Sequence, residues 1–243
     1  MRLQLDRRWF VFVGAVLAAC AFLPSDVTLS PGVSDCSVTT GLDNLHVYIR
    51  TDRKWQDFTF DGSKLVRSST REPNSRNWNN NARRNFADFE GKDFGKEFPN
   101  ETRVLNANQR LGFPAAYSPD KRSFAAVVIT VDPTAALVAN WNASQVPKRL
   151  ILRSDTQEHR LGSLAGFSIY TLAWKPDSGR FAVIERNYDR TPRSPIAAIT
   201  PDGGVVYSDV VLSVYDGSGV LVCQSLLASK VSDSSVEVDW TEK

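Results

Sequence analysis

The chain has 243 residues, 42% hydrophobic and 23% charged, with 29 basic and 27 acidic side chains and a formal net charge of +2. That is a globular composition, which excludes a disordered or collagen-like chain. Residues 1–19 hold three of the basic residues and one acid, so the remainder carries 26 of each and offers no positive field to attract nucleic acid.

In chain order, the first feature is an export signal. Arg2, Arg7 and Arg8 stand against Asp6, and an apolar run from Trp9 to Leu23 follows, ended by Pro24. A short basic head, an apolar core and small residues at its end define a secretory signal, here residues 1–19. The run is shorter than the ~20 residues a transmembrane helix needs. Leu17-Ala18-Ala19-Cys20 resembles the lipobox of bacterial lipoproteins. The resemblance implies that Cys20 is acylated, becomes the mature N-terminus and holds the protein to the lipid bilayer. Ordinary cleavage after Ala21 is the alternative. Arg7-Arg8-Trp9-Phe10 is similar to a twin-arginine export motif, from which Asp6 and Phe12 depart. The location implied is the periplasmic face of an envelope membrane. Ala21, where an aspartate retains such lipoproteins in the inner membrane, favours the outer one.

With Cys20 acylated, Cys36 and Cys223 remain, and an even pair in an oxidising compartment is expected to form a disulfide. Residues 20–44 include the Pro-, Ser- and Asp-rich run Pro24 to Asp35 and read as a tether. A single β domain, 45–243, follows. Leu45 to Arg50 and Trp55 to Phe60 alternate apolar and polar residues. Asp61-Gly62-Ser63 is a turn before Lys64 to Ser69, so a three-strand meander is expected. Residues 71–110 form a long loop rich in Asn, Arg and acids, with Trp78, Phe86, Phe89, Phe94 and Phe98 interleaved and one short helix near 80–90. Such interleaving also suits a single-strand stacking platform. Export and a neutral body favour a surface loop pinned by its aromatics.

Beyond Leu111 the chain repeats. Ala116-Tyr117-Ser118-Pro119-Asp120, followed by Phe124-Ala125-Ala126-Val127, has its counterpart in Ala173-Trp174-Lys175-Pro176-Asp177, followed by Phe181-Ala182-Val183. Proline at the first turn centre presets φ and Asp completes the turn, so each unit is a hairpin. Val210 to Tyr215 turns at Asp216-Gly217-Ser218-Gly219 and returns, Lys148 to Leu164 fills the equivalent place after the first unit, and Val236 to Trp240 opens a third unit. The units, over about the C-terminal half, resemble blades of TolB- and WD-type β-propellers. The fold expected is all-β, an irregular small or incomplete propeller-like repeat of hairpins, with a β-sandwich as alternative. Closed propellers have about 4–8 blades, and the chain has room for roughly three to four. Pro192, Pro195 and Pro201 exclude a central strand from the loop Asn187 to Gly204.

No motif marks an active site. His46 and His159 lack companions at metal-ligand spacing, His46 reading as a half-buried sheet residue and His159 as solvated, so neither a metal nor a cofactor is expected. Gly162-Ser163-Leu164-Ala165-Gly166 has the wrong spacing for a nucleophile elbow. Cross-strand carboxylates drawn from Asp155, Glu158, Glu185, Asp189 and Asp209 are the one route to hydrolysis. The segment Asn187 to Pro195 sets Tyr188, Arg190 and Arg193 on a proline-bracketed loop, and Tyr and Arg are enriched at binding hot spots. The function expected is therefore a non-catalytic, envelope-anchored module that binds another envelope protein through these residues. A periplasmic hydrolase is the alternative.

Overall fold

The structure, a computed structural model, describes residues 27–51, 54–61, 64–68, 98–130, 148–154, 157–162, 164, 167–189, 207–232 and 236–241. Among these, strands are organised in three antiparallel four-stranded sheets. The expected meander forms β1 (Leu45–Thr51), β2 (Lys54–Asp61) and β3 (Lys64–Ser68). A lateral sheet comprises β4 (Gln109–Tyr117), β5 (Ser123–Thr130), β6 (Lys148–Ser154) and β7 (Glu158–Leu161). A central sheet comprises β8 (Phe167–Trp174), β9 (Arg180–Asp189), β10 (Tyr207–Asp216) and β11 (Leu221–Ser232). The last strand, β12 (Val236–Trp240), pairs with β1 and so becomes the first strand of the N-terminal sheet, which we call the closure sheet. The first strands of the three sheets pack in sequence, β4 against β8 and β8 against β12. The fold is all-β, with three layers where a sandwich has two, and among the described residues the sheets form no closed barrel.

The strand patterns follow from what each face meets. In β1, Leu45, Val47 and Ile49 join Val236, Val238 and Trp240 in a core shared with Ala182, Ile184 and Leu212 of the central sheet. The central sheet's other face buries Leu172, Trp174, Phe181, Val183 and Tyr215 against Ala125, Val127, Leu150 and Leu152 of the lateral sheet. Being covered on both sides, the central sheet has consecutive apolar residues, Phe181–Ile184 in β9 and Val210–Leu212 in β10, whereas β1 and β12, with one apolar face, alternate. The far face of the lateral sheet packs Phe124, Ala126 and Ile151 with Phe98. Phe98 precedes a helix, α1 (Pro99–Arg103), inside the stretch expected to be a loop, and the helix expected near 80–90 lies outside the described residues. Glu101 of α1 is held 2.6 Å from Arg153 Nη1 and accepts a bond from the Tyr117 hydroxyl at 3.2 Å.

The two expected hairpins are equivalent. Tyr117 pairs with Phe124, and Trp174 with Phe181. Ser118 N donates to Ser123 O at 2.8 Å, as Lys175 N does to Arg180 O at 2.9 Å. Asp120 Oδ1 accepts from Arg122 N as Asp177 Oδ1 accepts from Gly179 N, and Lys121 and Ser178 both adopt a left-handed conformation, with φ of 60° and 61°. Phe124 and Phe181 are both buried. Trp240 occupies the third such place: it pairs with Leu45, and Thr241 N donates to Asn44 O at 3.1 Å, the bond the turns make elsewhere. Here the turn is replaced by the two ends of the domain.

Cys36 and Cys223 form a disulfide, their Cα atoms 4.9 Å apart and 187 residues apart in sequence. The segment carrying Cys36 turns at Ser30-Pro31-Gly32-Val33, where Gly32 has φ +76°, and then runs along the outer edge of β11 through a parallel bridge from Ser34 to Cys223. Proline then glycine at the two turn centres is the combination such a turn requires. In the chain-entropy account, closing so long a loop removes about 5 kcal/mol of unfolded-state freedom.

Trp174 is 2% exposed, packs against Phe181 with the rings tilted and their centroids 4.7 Å apart, and donates from Nε1 to Ala116 O at 3.3 Å, which joins the central sheet to the lateral one. Trp174→Ala is expected to lower the unfolding free energy by about 3–5 kcal/mol in urea titration. A loss below about 1 kcal/mol would show that this contact does not hold the sheets together.

Candidate functional site

Strand directions give the molecule two unlike ends. At one, the tight turns 118–122, 175–179 and 216–220 touch: Asp120 N donates to Ser178 Oγ at 3.1 Å and Gly217 N to Gly179 O at 2.9 Å. Lys175 of this end is 6.0 Å above the Trp240 ring. Because β5 and β9 lead away from these turns and β6 and β10 lead back to them, the connections 131–147 and 190–206 both begin and end at the opposite end, while the longest, 69–97, begins there and returns at Phe98 beside Tyr117. Long connections on a rigid β scaffold are where binding residues concentrate.

The residues singled out from sequence fall at or beyond the root of one such connection. Tyr188 lies in β9, opposite Ser208 of β10, whereas Arg190 and Arg193 lie outside the described residues. Just before them, β9 places two charged residues in the interior: Glu185 is 0% and Arg186 4% exposed. Strand alternation sends them to opposite faces. Arg186 lies over the Tyr170 ring at 4.8 Å and donates to Ser208 Oγ at 2.6 Å. Glu185 faces the lateral sheet, accepting from Ser213 Oγ at 2.6 Å and from Leu164 N at 2.8 Å. Burial pushes the Glu185 carboxyl above the ordinary glutamate value, outweighing these two bonds that pull it down. The nearby Tyr215 hydroxyl is also pushed up, by burial and then by the Glu185 charge, and donates to Gly162 O at 2.6 Å. Arg186 was not singled out from sequence. Its signal was a pair of adjacent charges directly after the apolar run Phe181–Ile184.

The acids a hydrolase would use have separate partners: Glu158 is held by Arg153, and Asp209 accepts from Ser229 Oγ. Asp155 lies outside the described residues. His46, half-buried as expected, has Nδ1 at 3.2 Å from both Asp57 Oδ1 and Thr59 Oγ1. A nucleophile–base–acid relay needs the two ring nitrogens to face different partners, and here one nitrogen faces both. His159, read as solvated, is partly buried in β7. Among the described residues no three His, Cys, Asp or Glu side chains converge to hold a metal ion. Compared with protein-family models, curated proteins and solved structures, the chain matches none.

The raised Glu185 carboxyl sets a pH dependence with a definite sign. A folded-state value above the unfolded one stabilises the fold below the unfolded value and loses that contribution as pH rises through the folded value. The turn aspartates act oppositely and at lower pH. Asp120 is held low chiefly by the Ser118 hydroxyl; at Asp177 and Asp216 burial pushes upward, but local donors, Lys175 and Ser218 foremost, outweigh it. Urea midpoints measured upward from about pH 4.5, near the glutamate reference value, should therefore fall in the wild type. Glu185→Gln should flatten that decline, and an identical slope in both proteins would exclude Glu185 as its source.

Proposed function

We propose that the protein is an exported lipoprotein, acylated on Cys20 and held at the periplasmic face of an envelope membrane, that binds another envelope protein and does not catalyse a reaction. The observation that carries this reading is the asymmetry of the β body: short, mutually bonded turns at one end, and the connections 131–147 and 190–206 beginning and ending at the other. A rigid three-sheet body with long segments at one end is suited to presenting a recognition surface. Tyr188, Arg190 and Arg193 are the residues proposed to engage the partner. The Cys36–Cys223 disulfide supports the export half of the reading, since such bonds persist in oxidising compartments. The propeller-like resemblance of the hairpins fits the same role.

Two measurements test it. The mature N-terminal peptide should begin at Cys20 with acyl mass added, and Cys20→Ala should leave the protein soluble or unprocessed; an unmodified peptide beginning at Phe22 would refute the anchor. Chemical cross-linking in intact cells should give a discrete adduct with one envelope protein. Arg190→Glu with Arg193→Glu should cut its yield at least tenfold with the unfolding midpoint unchanged. An undiminished adduct would remove these arginines from the interface.

A further inference from the structure

Charge is spread unevenly over the neutral mature body. Residues 98–164, which include α1 and the lateral sheet, carry eight basic side chains against five acidic ones, a net charge of +3. Strand register gathers part of this excess on one face. Ile151 of β6 packs with Phe98 on the far side of the sheet, and it pairs with Arg160 of β7. Alternation along the strands then sets Arg149, Arg153 and Arg160 on that face, with diagonal neighbours about 7–8 Å apart. Leu150, Leu152 and Leu161 take the other face, towards the central sheet.

The two acids on this face are already committed. Arg153 holds both, Glu101 of α1 and Glu158 of β7, each at 2.6 Å. Arg149 and Arg160 are exposed and, among the described residues, pair with no acid. The same holds for Arg103, two residues after Glu101 at the end of α1. Beside it, Val104 is 63% exposed. Four arginines thus stand against two glutamates, next to an apolar side chain left in solvent. A guanidinium fork matches two phosphate oxygens at once. Basic side chains with an apolar residue alongside suit the headgroup layer of an anionic membrane. An acidic protein surface would match the charge and leave the exposed valine without a role.

The tether enters beside this face. Its segment lies on the outer edge of β11, where Ser30 N donates to Gln224 Oε1 at 2.8 Å and Ser34 bridges to Cys223. The turn leading into β11 packs on β7, so closely that a Cβ added to Gly219 would lie 2.8 Å from Leu161 Cδ2. The outermost strands of the central and lateral sheets are therefore neighbours, and tether and arginines share one flank.

We propose that Arg103, Arg149 and Arg160 form a second membrane contact, which lays the outer strands of the lateral sheet on anionic phospholipid headgroups. An acyl anchor on a Pro- and Ser-rich tether leaves the body's orientation open, and these arginines fix which flank meets the bilayer. The contact rests on the lipoprotein reading only for the anchor that brings the body to the membrane.

The test is hydrogen exchange of the protein purified from its envelope, on phosphatidylcholine vesicles made with or without phosphatidylglycerol. Flotation with the neutral vesicles reports the anchor separately, so failure of the lipoprotein reading is not mistaken for failure of this contact. With phosphatidylglycerol present, peptides covering 99–105 and 148–161 should exchange more slowly than on neutral vesicles, and closure-sheet peptides should not change. The slowing should vanish at about 1 M salt, where the Debye length is roughly 3 Å. It should vanish also in Arg149→Glu with Arg160→Glu, whose unfolding midpoint should stay that of the wild type. Equal exchange on the two vesicle types would overturn the contact, and loss of the cross-linked adduct in the double variant would then give the face to an acidic protein instead.

Discussion

The pairing of β12 with β1 is the interaction on which the rest depends. Every other sheet is built from four strands consecutive in sequence, but the closure sheet takes its first strand from the far end of the chain. Five register pairs, from Leu45 opposite Trp240 to Ile49 opposite Val236, hold this junction. Without it, Leu45, Val47 and Ile49 would lose the valines that complete their side of the core, and the central sheet would have one apolar face exposed. Long-range pairing of this kind carries a large loop-closure cost before any contact repays it. The disulfide limits the same cost from a second direction, since it ties Cys36, just before the closure sheet, to β11, just before β12.

The central sheet is the consequence. Covered on both faces, it cannot shed a charge to solvent by turning a side chain outward, so each polar group in it must find an internal partner. Glu185 and Arg186 meet that condition on opposite faces, one through Ser213 and the Leu164 amide, the other through Ser208 and the Tyr170 ring. Interior charges of this kind stabilise less than apolar residues of the same size would. Their place in β9, a few residues before Tyr188, sets them at the root of the connection proposed to meet the partner.

Much of the architecture was legible in the residues. Turn chemistry located the hairpins, because Pro and Asp at fixed positions have few alternatives, and Tyr117, Trp174 and Trp240 marked the ends of equivalent strands. The alternation of β1 and the unbroken apolar run of β9 likewise reported one covered face or two. Closure of the third unit by the N-terminal meander was not legible, since pairing between strands nearly 200 residues apart leaves no local trace. The partners of Glu185 were hidden for the same reason: Ser213, Gln224 and Leu164 converge only once three strands and a connection are in register. Arg190 and Arg193 rest on composition and position in the chain, and their role is a proposal.

The most direct measurement of the central claim is a set of cross-strand nuclear Overhauser contacts in the folded protein. The account predicts contacts between the backbones of Val47 and Val238 and of Leu45 and Trp240, together with an Nε1 proton of Trp240 protected by its bond to Asp43 O, 2.9 Å away. A folded protein in which these contacts are missing and the amides of residues 236–240 exchange freely would contradict it.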